Sequence, residues 1–101
     1  MSNKAKILDI AMNLNRVGNL AADDYEKKKK RIDIFLQETK EYINSIDKSS
    51  LSSSFRKTFN KFQKVYLLLE KENMKTHEEK LYWAEKMMTW GNILTHRAKI
   101  I

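Results

Sequence analysis

Residues 76–101 read THEEKLYWAEKMMTWGNILTHRAKII. The opening Thr-His-Glu-Glu has the pattern of a capping box. In that motif the Thr76 hydroxyl accepts from the backbone N–H of Glu79, and the Glu79 carboxylate accepts from the N–H of Thr76. Glu78 and Glu79 stand where the helix dipole favours negative charge, and Arg97 and Lys99 stand near its other end. No proline interrupts the run. Leu81, Trp83, Ala84, Met87, Met88, Trp90, Gly91, Leu94, Thr95 and Ala98 fall within about half of the helical wheel. An apolar face that wide exceeds what one neighbour covers, so this helix is predicted to touch two others, as in a four-helix bundle.

Within that face Ala84, Gly91 and Ala98 recur every seven residues, and near the N-terminus Ala11 and Gly18 are also seven apart. Rows of small residues let two backbones approach closely. The first and last helices are therefore predicted to pack along these rows. A glycine inside a helix costs about 1 kcal/mol against alanine, and a close approach is what offsets it.

Composition points the same way. The chain has 101 residues, no proline and only two glycines. Turn-rich β architectures need both residue types, so an all-α fold is expected, in a single domain over residues 1–101. The absence of cysteine excludes disulfides, thiolate metal sites and a cysteine nucleophile, and fits a reducing compartment, so a cytoplasmic location is expected. No signal-peptide pattern and no long apolar run is present, and neither a membrane span nor a membrane-surface role is expected. The net charge of +7 bears on solubility and on attraction to polyanions rather than on fold.

Outward from the last helix, the periodicity predicts three more. The first, over about 3–17, carries Ile7, Ile10, Ala11, Leu14 and Val17 on one face and has Ser2 or Asn3 as its cap. Gly18-Asn19 reads as its stop, since both residues tolerate a left-handed C-cap. The second runs over about 22–46, with Asp23, Asp24 and Glu26 in its first turn and Tyr25, Ile32, Phe35, Leu36, Thr39, Tyr42, Ile43 and Ile46 on one side. The run Lys27-Lys28-Lys29-Lys30-Arg31 spans more than one turn and points all round. Residues 47–54, DKSSLSSS, form the connection, with one serine of 52–54 as the next cap. The third helix covers about 53–73 and turns Phe55, Thr58, Phe59, Phe62, Val65, Tyr66 and Leu69 inward. The last covers about 77–99. Short connections favour antiparallel neighbours, so the expected fold is an antiparallel up-down-up-down four-helix bundle with a short first helix.

The chemistry-bearing residues give little support to catalysis. His77 and His96 lie near opposite ends of one helix, and no Glu-x-x-His pair offers the ligands of a carboxylate-bridged metal centre. The serines cluster in a connection with no base beside them, and no glycine-rich phosphate loop is present. No enzyme activity, metal or cofactor is expected. The leading expectation is a protein–protein interaction or regulatory module, with a protein partner or a second copy as a homodimer. Its candidate residues are Tyr82, Trp83, Lys86, Trp90 and Ile93, on or beside the outer side of the last helix. The alternative is non-specific nucleic-acid binding. Residues 47–75 carry a net +4, and Lys57, Lys61, Lys64, Lys71 and Lys75 form a strip opposite the core face of the third helix, suited to a phosphate backbone. The aromatic residues of that helix point the other way, so no stacking platform is expected on it.

Overall fold

The computed structural model describes the whole chain, Met1–Ile101. It is all-helical and contains three helices: α1 (Asn3–Ser45), α2 (Ser53–Lys71) and α3 (His77–Arg97), with short 3-10 turns at Lys48–Ser50 and Ala98–Ile100. Four helices with a short first one were expected, and the difference lies in α1. The helix passes straight through Gly18 and Asn19, and no residue of the chain has a positive φ. Gly18 serves packing instead of capping: a Cβ built on it would lie 2.9 Å from the backbone oxygen of Ala84.

The break in α1 comes at Asp24, which leaves helical geometry at φ −160° and ψ 92°. Its carboxylate accepts from the Lys27 N–H at 3.1 Å, the geometry of a helix cap. A straight helix of 43 residues would be about 65 Å long, yet the longest dimension of the molecule is 40 Å. The chain therefore folds back at Asp24 into two antiparallel arms. Their pairing is explicit. Asn3 donates to the Asp47 carbonyl at 3.1 Å, the Lys6 ammonium to the Ser45 carbonyl at 2.9 Å, and the Asn13 amide to Glu38 at 3.4 Å.

The predicted small-residue contact between the first and last helices is present. Gly91 lies against Ala11 and Gly18 against Ala84, so α3 runs antiparallel to the first arm. A Cβ on Gly91 would lie 3.0 Å from the Ala11 backbone oxygen. These two backbones come close together, whereas α2 stands further off. The reason is side-chain size: α2 presents Phe55, Phe59, Phe62 and Tyr66 in a row of neighbouring rings along its inner face, the first two stacked and the others tilted. The wide spacing of α2 from α3 leaves room for a groove between them.

One continuous core runs through the molecule, from Ile7, Ile10 and Leu14 to Phe59, Trp83 and Leu94. Its buried polar groups are satisfied. The Trp83 indole donates to the Leu69 carbonyl at 2.8 Å, and the Tyr66 hydroxyl to the Leu36 carbonyl at 3.1 Å. Burial, and behind it the Glu70 carboxylate, raises the Tyr66 pKa far above its ordinary value. All three helix starts carry the expected kind of cap: Ser2, Ser52 and the full capping box of Thr76 with Glu79. Leu51 is buried, and Arg56 holds its loop by donating to the Lys48 and Leu51 carbonyls at 3.1 and 2.9 Å.

Candidate interaction groove

The groove forms where α2 and α3 diverge on the outer side of their aromatic contact. It is an open hollow of ≈ 630 Å³, lined by Thr58 and Lys61 from α2 and by Trp90, Asn92, Ile93, His96 and Arg97 from α3. Helical spacing places the α3 members. Trp90, Ile93 and Arg97 follow one another at three- and four-residue steps, so they share a stripe facing α2. Thr58 and Lys61 are three apart on the opposing stripe. Trp90 is half-buried because one side of its ring packs on Phe62, centroids 5.7 Å apart. The same residue lines the groove.

The chemistry of the lining is one-sided. Trp90 and Ile93 supply an apolar floor. Lys61, His96 and Arg97 supply cationic or ionisable nitrogen, and no carboxylate lines the space. Neither Lys61 nor Arg97 takes part in an ion pair, since the molecule's five pairs involve Lys28, Lys29, Lys40, Lys80 and Lys86. The guanidinium of Arg97 and the ammonium of Lys61 are therefore free for an incoming anion.

The residues expected at an interface are divided by the structure. Trp90 and Ile93 enter the groove. Tyr82 is 67% exposed and stands farther along α3, where it lines a second, smaller hollow with Glu85, Lys86, Thr89 and the same Trp90. Lys86 is exposed and faces Glu72 across 3.9 Å. Trp83 lies in the core instead: it is 2% exposed, it donates to Leu69 and its ring meets Tyr25 edge-on. Its place at the border of the apolar arc left its direction open; the second apolar neighbour drew it inward.

Lys57, Lys61, Lys64, Lys71 and Lys75 are all exposed, and none is in an ion pair. Of the five, only Lys61 lines the groove. The aromatic residues of α2 do point into the core, but Trp90 of α3 shares the groove with Lys61, which brings an aromatic ring beside the basic strip after all. Sequence reasoning missed His96, Arg97, Thr58 and Asn92 as members of one site. Arg97 had a sufficient explanation in the helix dipole, and only the pairing of α2 with α3 shows that its stripe faces Lys61.

No group of acidic or histidine side chains is arranged to hold a metal ion. No helix is long and apolar enough to cross a membrane. No family model, no curated protein and no solved structure matches the chain.

Proposed function

We propose that the chain is a non-enzymatic interaction module whose α2–α3 groove seats an acidic, amphipathic segment of a partner protein. The two arms of α1 with α2 and α3 then act as an up-down-up-down arrangement of four rods, and the groove lies between the last two. The observation that carries the reading is the joining of an apolar floor, Trp90 and Ile93, to the unpaired cations Lys61 and Arg97 with no carboxylate in the lining. A helix laid in such a groove places its apolar side chains on the floor and its carboxylates against the rim. Apolar burial supplies affinity, and the rim charges supply orientation and encounter rate.

The test is calorimetric titration with a designed acidic amphipathic helical peptide, run beside its basic counterpart of equal hydrophobicity. The acidic peptide is expected to bind and the basic one to fail. Ile93→Glu should abolish the binding by removing floor and complementarity together, and Arg97→Glu should weaken it at low salt. Equal binding of both peptides, or full binding by Ile93→Glu, would reject the groove.

A second reading is kept because five exposed, unpaired lysines line α2 and the loop after it, and the Trp90 ring stands beside one of them. A single-stranded nucleic acid would set its phosphates along Lys57, Lys61 and Lys64 and a base against Trp90. Titration with a random-sequence single-stranded oligonucleotide separates it from the first. Binding that falls steeply with salt and is lost in a Lys57→Glu, Lys61→Glu, Lys64→Glu variant would favour it. An oligonucleotide without effect at low salt would remove it.

A further inference from the structure

The segment around the bend in α1 is rich in residues that favour a straight helix, although Asp23, Asp24 and Tyr25 at its centre are weaker helix formers. Residues 20–31 read LAADDYEKKKKR, with neither glycine nor proline. Leucine, alanine, glutamate, lysine and arginine are among the strongest helix formers. If the segment were straight, Asp23–Lys27, Asp24–Lys28 and Glu26–Lys30 would be three acid-before-base pairs at the i,i+4 spacing that stabilises an isolated helix. A single residue, Asp24, leaves helical geometry. The fold-back is held by the packing of the first arm against the second arm and α3, and the Asp24 carboxylate caps the segment that follows it.

The pairing of the arms has a second property. Asn3 with Asp47, Asn13 with Glu38, and Arg16, whose guanidinium lies 5.4 Å from the Phe35 ring centre, are all centred near Tyr25 and Glu26. One side-chain contact beside the bend shares that centre: Asp23 pairs with Lys28. Two straight copies of α1 laid antiparallel, with a two-fold axis at Tyr25–Glu26, would bring the same residues together between chains. Asp23 of each copy would then stand opposite Lys28 of the other. The register runs through the bend without an offset, which is what an exchange of identical arms requires.

From this we infer that the chain forms a domain-swapped dimer with a second copy of itself. α1 straightens through Asp24, and its first arm occupies the socket that the partner's own first arm fills in the closed form. Ile7, Ile10, Leu14 and Val17 keep their burial, and Gly18 and Gly91 keep their close contacts, now across chains. The closed chain loses only the Asp24 cap and gains helix through the bend. Concentration decides the balance, because the contacts of the two forms are otherwise the same. The surface involved is the inner face of the first arm, so this inference stands apart from the α2–α3 groove and survives or fails without it.

The experiment uses the full chain with spin labels on Lys4→Cys and Asn44→Cys, two exposed sites at the same end of the closed molecule. The labelled chain is diluted into excess unlabelled chain, so that only the distance within one chain is read. The mixture is concentrated, warmed to its melting midpoint and cooled, and its mass is measured by light scattering. The expected product is a dimer in which the distance within one chain has lengthened to about 60 Å, the length of the intervening residues as a straight helix. Asp24→Ala, which removes the cap and favours helix, is expected to raise the dimer fraction, and Asp24→Gly to lower it. A dimer whose intrachain distance stays short would overturn the inference in favour of face-to-face association. An Asp24→Ala chain that remains monomeric at the highest concentration would overturn it as well.

Discussion

At the residue scale, Gly18 and Gly91 show how a missing side chain sets a helix pair. Each lies against the backbone of an alanine on the other helix, Ala84 and Ala11 respectively. A rigid carbonyl cannot yield as a flexible side chain can. Gly91→Leu is therefore expected to cost about 1–3 kcal/mol through overpacking, read as a lower melting temperature. Tyr66 makes a different point. Its hydroxyl donates to Leu36 inside the core, and burial raises its pKa. A group whose folded pKa is raised contributes stability below its unfolded pKa and loses that contribution as pH rises through the folded value. The folded chain should therefore lose stability above about pH 10, where an unfolded tyrosine begins to ionise. Tyr66→Phe is expected to flatten that alkaline loss, measured as melting temperature against pH, while costing about 0.5–1.5 kcal/mol at neutral pH through the lost hydrogen bond.

At the scale of elements, the caps and connections were legible because they are local chemistry. Ser52, Thr76 and Glu79 act where a side-chain oxygen meets an N–H three residues away, a relation written into the spacing. The connection after α1 is held by Asp47, whose carboxylate accepts from both the N–H and the hydroxyl of Ser49. Those bonds keep its pKa below the usual aspartate value. Its contribution is present above the unfolded pKa and is lost as pH falls through the lowered folded one. Asp47→Ala is thus expected to melt below the parent at neutral pH and to converge with it in strong acid, a comparison made by thermal melts across the acid range. The stop of the first helix was not legible, for a matching reason. Gly18-Asn19 has the composition of a helix end, but α3 uses the glycine as a contact, and Asp24 takes the break because its carboxylate can cap the segment that follows.

At the scale of the molecule, charge is unevenly spread. The five lysines of the α2 strip and the loop after it, with Arg97, have no ion-pair partners, whereas Lys28, Lys29, Lys40, Lys80 and Lys86 do. Like charges on one face repel in the compact state, and salt screens them over a Debye length of about 8 Å at physiological ionic strength. The melting temperature is expected to rise between low salt and physiological salt. Lys61→Gln with Lys64→Gln should reduce that rise, and a salt-independent melting temperature in the parent chain would show that the strip is not a source of strain.

The sequence by itself determined that the chain is helical, where the N-caps of the three helices lie, which aromatic residues of α2 face inward, and that α1 and α3 approach along small residues. These properties follow from period, spacing and side-chain size, which do not depend on the rest of the fold. Only the tertiary structure decided that α1 bends at Asp24, that Trp83 is core while Trp90 is half-open, and that Lys61 and Arg97 share a groove. Each of these depends on a neighbour from a distant part of the chain: α3 closing on Gly18, Leu69 offering a carbonyl to Trp83, and the bulk of Phe59 and Phe62 holding α2 away from its neighbours.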